Sequence, residues 1–421
     1  MRILFASMLV LMLPSLVQAA PLTLGQCLAQ AHERNPALRL ARTNKAIAVE
    51  TVRLVDADRL PRLDLQGGYT AQIDPQAIQV NGVAMETQQS SYLFGTLSLQ
   101  HTLYDFGRRT ARSGSSRAAL DAVQHEIQHQ ERDTMLQVVE GYLAVLEAQK
   151  NVFAAEQELR AVEEHRRVAQ ALYESGSVTR NDLLQADVRL AHAHQQLLVR
   201  RNLVENLYLQ LNFLTGMPPS DRPELVDPVV STEAPATPID PQQVLQQRSD
   251  LRSLQKQLES REQERRESRL AWYPEIFARL SLDYLENDRV REQTIYAGTI
   301  GITFNLFDGF GTTARHGRAV AAQAHAAEQL RVAQEQALLE SRVAGNDRSI
   351  AAERINVTRE AIRQGEENLR INQDRYQERV GTASDVLDAQ TLLTQTRIEH
   401  YRALYDYQRA AVRLRRAVGD L

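Results

Sequence analysis

Four stretches of the chain alternate apolar and polar side chains with a period of two. Over residues 63–74, Leu63, Leu65, Tyr69, Ala71 and Ile73 share one face, and Asp64, Gln66, Thr70, Gln72 and Asp74 share the other. Residues 92–104 set Leu93, Leu97, Leu99 and Leu103 against Thr96, Ser98, Gln100 and Thr102. Residues 275–285 set Ile276, Ala278, Leu280, Leu282 and Tyr284 against Arg279, Ser281 and Asp283, and residues 294–306 set Tyr296, Ile300, Ile302, Phe304 and Leu306 against Thr299, Thr303 and Asn305. Successive side chains of a strand point to opposite faces, so each stretch predicts a strand with one apolar and one polar surface. A tilted strand crosses a bilayer in about 9–11 residues, whereas strands of globular sheets average about five or six. The length therefore predicts transmembrane strands with one face to lipid and one to water. Tyr104, Phe106, Trp272, Tyr273, Phe304, Phe307 and Phe310 gather where strand meets helix, as an interfacial girdle would.

The rest of the pattern is helical. Seven of the thirteen prolines lie from Pro218 to Pro241, none lies between Pro75 and Pro218, and none follows Pro274. An interior proline destabilises a helix by about 3 kcal/mol, so the proline-free spans predict long helices and the cluster predicts a linker. Helices are expected over 23–60 and 241–272, each stopped by proline, and over the long runs 108–175 and 312–379. At 1.5 Å per residue each long run would reach about 100 Å. The returning arms carry heptads: Leu183, Leu190, Leu197, Val204 and Leu211 with Ala186, Ala193, Leu207 and Leu214, then Val386, Leu393, Tyr407 and Leu414 with Ala389, Ala403, Ala410 and Ala417. Small residues in these seams allow close helix packing.

Leu103 and Leu306, Tyr173 and Tyr376, and Ala186 and Ala389 each stand 203 residues apart in matching motifs. The chain is a tandem duplication, with a first repeat over 20–217, a proline-rich segment over 218–241 and a second repeat over 242–421.

Composition sharpens this picture. Arg2, the apolar run from Ile3 to Leu13 and Val17-Gln18-Ala19 read as a signal peptide over 1–19, which directs the chain out of the cytosol. That run is too short to span a bilayer as a helix, and nothing later is apolar enough. The net charge of −4 mixes 53 acids with 49 bases along the same helices, which excludes a nucleic-acid surface. The single cysteine, Cys27, makes no intrachain disulfide, and Gln26 before it argues against acylation; an apolar position beside Leu24, Leu28 and Ala31 fits better. His125 with His129, and His192 with His194, lack a third ligand, so no metal and no cofactor is expected. No phosphate-binding loop or nucleophile elbow is present, and the chain is not expected to be an enzyme.

Four strands leave open edges whose unpaired amides are untenable in lipid. Two copies of the chain would give eight strands and three would give twelve, the larger number being compatible with a water-filled lumen. The opening TLGQCLAQAHERNP, the strand-to-helix turns at Asp105 and Asp308, and the tips 173–179 and 380–389 resemble the outer-membrane efflux protein (TolC) family over essentially the whole mature sequence. The resemblance implies a homotrimer in the outer membrane. Its twelve-stranded β-barrel would continue as a periplasmic α-helical barrel of coiled-coil hairpins, docked on a periplasmic adaptor protein and an inner-membrane transporter. It implies a passive exit duct for efflux or type I secretion; the alternative is a periplasmic coiled-coil adaptor, which has no use for long amphipathic strands. The barrel's outer loops are expected at 75–90 and 286–293.

By the same resemblance, Asp385 and Asp388 match paired aspartates that constrict the tunnel end, and Gly176, Ser177, Val178, Thr179, Asp182, Val380, Gly381 and Thr382 form the adaptor-contacting tips. Glu378 and Ala383 stand where other members carry the tyrosine and arginine that lock the closed tip. Thr179 with Asp182, and Thr382 with Asp385, also match a helix capping box, and a tight helix-to-helix turn calls for glycine at 176 and 381.

Overall fold

The computed structural model describes residues 21–228, 239–289 and 291–421. The expected signal peptide and residues 229–238 of the proline-rich segment lie outside the described residues. In chain order the elements are α1 (Leu24–Arg34), α2 (Pro36–Ala57), β1 (Arg62–Ala71), β2 (Ala77–Val80), β3 (Val83–Glu86), β4 (Ser91–Tyr104), α3 (Arg108–Glu174) and α4 (Arg180–Thr215). The second repeat follows with α5 (Pro241–Gln247), α6 (Ser249–Leu270), β5 (Glu275–Leu285), β6 (Thr294–Thr303), α7 (Gly311–Gln377) and α8 (Ala383–Val418).

The four long strands form one antiparallel sheet in the order β1-β4-β5-β6, with β1 and β6 at its edges. Each of the four long strands adjoins a helix in the chain, and the helices keep the same order: α2 beside α3, α3 beside α6, α6 beside α7. Away from the sheet, α4 and α8 replace α2 and α6, so that α4, α3, α8 and α7 lie side by side. The molecule is thus a wall one element thick, running from sheet to helical tips. α3 and α7, at 67 residues each, span about 100 Å of it.

Three expectations change in detail. The helix expected over 23–60 breaks at Asn35, whose Oδ1 accepts from the Ala37 and Leu38 amides while its Nδ2 donates to the Leu214 carbonyl at 2.7 Å. Pro36 then takes the first helical position, where its missing N–H is harmless. The helix expected over 241–272 breaks at Arg248, which is 5% exposed and pairs with Asp250 and Glu340 at 2.7 and 2.8 Å. The outer loop expected at 75–90 contains the β2–β3 hairpin, closed by Asn81-Gly82 with both residues left-handed (φ 51° and 85°).

The largest apolar cluster lies where α1 crosses α3 and α4, around Cys27, Tyr142, Leu143, Leu211 and Leu225. Chain beyond α4 folds back here: the Leu22 amide donates to Glu224, and the Tyr142 hydroxyl lies 2.9 and 2.5 Å from the carbonyl oxygens of Leu22 and Val226. Cys27 is fully buried, and burial pushes its thiol up to about 11, which keeps it protonated and unreactive.

Candidate functional site: sheet, seams and tips

The register places like with like across the sheet. Leu65, Leu97 and Leu282 align in one row and Leu63, Leu99 and Leu280 in the next. Among the described residues nothing covers this face, leaving Leu65 80% and Ile300 78% exposed. The other face is polar and self-bonded: Thr96 donates to Asp283 at 2.8 Å and Arg279 to Gln100 at 3.0 Å. It lines a hollow of about 1180 Å³ together with Asp64, Gln66 and Ser98. Among the described residues, no helix is long and apolar enough to cross a membrane.

The strand-to-helix turns are the same device twice. Phe106 and Gly107 are both left-handed in the first repeat, as are Gly309 and Phe310 in the second, so phenylalanine and glycine exchange places without altering the turn. An aspartate secures each start: Asp105 accepts from the Gly107 and Arg109 amides at 3.1 and 2.8 Å, and Asp308 accepts from the Thr312 amide at 2.8 Å. Both satisfy amides that the first helical turn leaves without partners.

At the tips, both capping boxes form. Thr179 and Asp182 exchange hydrogen bonds at 2.9 and 3.4 Å, and Thr382 and Asp385 do so at 3.0 and 3.2 Å. Hydrogen bonds from the Thr382 backbone and side chain hold the Asp385 carboxyl below its usual range. Asp388 lies one turn further into α8, exposed, with no hydrogen bond or ion pair among the described residues. The two glycines differ in role. Gly176 is left-handed (φ 70°), but in the second tip the left-handed residue is Arg379 (φ 64°), at the position 203 residues on. Gly381 instead permits close approach, since a Cβ there would lie 3.1 Å from that of Arg375 and 3.3 Å from backbone atoms. Glycine was expected at both turns for its conformation; at 381 the reason is space.

An ionic ladder joins the two repeats along α3 and α8. Asp133 pairs with Arg416 at 2.7 Å, Glu140 with Arg413 at 2.5 Å and Glu147 with Arg409 at 2.6 Å. The sequence held a signal for it in three acids spaced by seven residues, which the heptad reading, attentive to apolar positions, passed over. The equivalent positions 203 residues away carry Gln336, Val343 and Ile350 on α7, and Asn206, Gln210 and Phe213 on α4. Those two helices form the outer edges of the wall, and there Ile350 is 58% and Phe213 68% exposed.

A family model described as "Outer membrane efflux protein" matches residues 27–217 and 241–420, which covers both repeats. The chain belongs to the outer membrane efflux protein family. This efflux protein is similar to Nodulation protein T of Rhizobium leguminosarum bv. trifolii, 22% identical over 396 residues, which cover 89% of this chain and 80% of that protein. Among solved structures it is similar to the CmeC outer membrane channel of Campylobacter jejuni, with a TM-score of 0.84, 16% identity, and 94% of this chain and 85% of that chain covered. It is also similar to the outer membrane protein VceC of Vibrio cholerae, with a TM-score of 0.80, 20% identity, and 94% and 96% covered. At such identities the structures testify to a shared fold. The family match favours the efflux channel over the periplasmic adaptor.

Proposed function

We propose that this efflux protein is a passive exit duct that works as a homotrimer, with twelve strands closed into one outer-membrane barrel and twelve helices continuing it through the periplasm to an adaptor and an inner-membrane transporter. One observation carries this reading: among the described residues, a four-stranded sheet has an uncovered apolar face, a self-bonded polar face and two unpaired edges. In lipid the unpaired edge amides are costly until sister chains complete the ring. The exposed apolar edges of α4 and α7 support the same closure, because α7 of one chain would meet α4 of the next as α3 meets α8 within the chain. Transported substrates are recognised by partners rather than by a wide polar lumen.

Purified from outer membranes in detergent, the protein is expected to run as a heat-sensitive trimer and to conduct ions in planar bilayers. A stable monomer in detergent-free buffer overturns the reading. At the tip, three copies of Asp385 and Asp388 would surround the axis and draw cations. Asp388→Ala is expected to weaken block by divalent cations about fivefold, since a close charge pair is worth roughly 1 kcal/mol in water. Unchanged block removes Asp388 from the constriction.

A further inference from the structure

Just below the sheet, where α6 runs between α3 and α7, the wall carries a trough of about 970 Å³. Its floor is low because Ala271 at the end of α6 and Ala319, Ala322 and Ala326 on α7 present only methyl groups. Its banks carry five guanidinium groups, on Arg108, Arg112, Arg261, Arg315 and Arg318, against two carboxylates, Glu264 and Glu267. Three of the five are held in place: Arg112 by Glu267 and Asp58 at 2.8 and 3.3 Å, Arg261 by Glu264 at 2.7 Å, and Arg315 by Asp308 at 2.8 Å. Arg108 and Arg318 make no side-chain hydrogen bond or ion pair among the described residues. They stand on opposite banks, one on α3 and one on α7.

The side of the wall follows from Arg112. Its guanidinium reaches across α3 from Glu267 on α6 to Asp58 beyond α2, and Asp58 also lines the hollow over the polar sheet face. Trough and polar face therefore open on the same side, opposite the apolar face.

We infer that this trough is an anion-binding station inside the duct, taking a multivalent oxyanion such as an oligophosphate whose charged groups span from Arg108 to Arg318. The inference rests on the duct reading, which makes the polar side the lumen. Guanidinium forks match oxyanions in two hydrogen bonds at once, and free donors on both banks call for a ligand with more than one anionic group. A concave wall on which arginines outnumber carboxylates five to two concentrates such ligands, three troughs to a trimer.

The test is tripolyphosphate added from the barrel side to single trimers in a planar bilayer, with inorganic phosphate as the single-group comparison. Tripolyphosphate is expected to block current at lower concentration than phosphate, and less at high salt. In the double variant Arg108→Gln/Arg318→Gln the half-blocking concentration should rise about tenfold, the effect of losing two solvent-exposed charge pairs, while Arg108→Lys/Arg318→Lys should retain most of the block. A trimer that carries no current at all refutes the duct. A conducting trimer that tripolyphosphate does not block, or blocks equally in the glutamine variant, refutes the station. Anionic phospholipid retained by the wild-type protein and lost in the glutamine variant, without block, places the trough against lipid and also refutes it.

Discussion

The seam between α3 and α8 and the outer edges on α7 and α4 are copies of one another in position and opposites in chemistry. Inside the chain, acids and arginines lock the two repeats at a fixed register. At the edges, none of the six equivalent positions is charged: Val343, Ile350 and Phe213 are apolar, and Gln336, Asn206 and Gln210 are neutral amides. The covalent link already holds the inner seam together, so its side chains serve alignment, and directional ion pairs do that well. An edge that meets another molecule must offset lost translational and rotational freedom, and apolar burial supplies the larger driving force. One duplicated frame thus carries a seam for register and a seam for assembly.

The strongest way to break this contrast is Ile350→Asp. Losing the burial of an isoleucine and placing a charge in an apolar seam should weaken each of the three contacts by about 3–5 kcal/mol. Size-exclusion chromatography in detergent should then show monomers; an intact trimer would remove this edge from the interface. Next, Arg409→Ala leaves Glu147 and Asp406, which it contacts at 2.6 and 2.8 Å, without their shared partner in a largely buried site. A loss of about 3 kcal/mol is expected in chemical unfolding. A loss matching that of an exposed pair such as Arg167 with Glu164 would show the ladder to be ornamental to stability.

The tips extend the comparison at smaller scale. Gly381→Ala should destabilise the second tip by about 1–2 kcal/mol through crowding against Arg375, whereas Arg379→Gly should stabilise it by about 1 kcal/mol by relieving a left-handed side chain. Hydrogen exchange of tip amides reads both, and the opposite order of signs would refute the division of roles. The smallest effect is that of pH. The Asp385 carboxyl is depressed when folded, so its capping contribution is present above the ordinary aspartate range of about 4 and is lost as pH falls through the lower folded value. Protection at the second tip should fall over that acid window, and Asp385→Asn should remove this pH dependence.

Much of the architecture was legible because it rests on periodicity. Alternation recorded the two faces of the first and last long strands, although these end at Ala71 and Thr303 and not at the expected 74 and 306, and heptads through Leu197 and Ala403 recorded which helix face is buried. The capping boxes were legible for the same reason, since Thr179 with Asp182 and Thr382 with Asp385 are contacts three residues apart. Asn35 was hidden because its break depends on a carbonyl at Leu214, 179 residues away. The acids of the ionic ladder were marked by their seven-residue spacing, but their partners were hidden because they lie as far away as Arg416 from Asp133.

What the sequence determined by itself was the set of elements, their two-faced character and their duplication, because side-chain periodicity encodes local geometry and solvent preference. The tertiary structure alone decided which helices neighbour which, that Arg379 rather than Gly381 takes the left-handed turn, and that five arginines from three helices line one trough. Those depend on distances between residues remote in the chain, and pairing across such separations leaves no regular mark on the sequence.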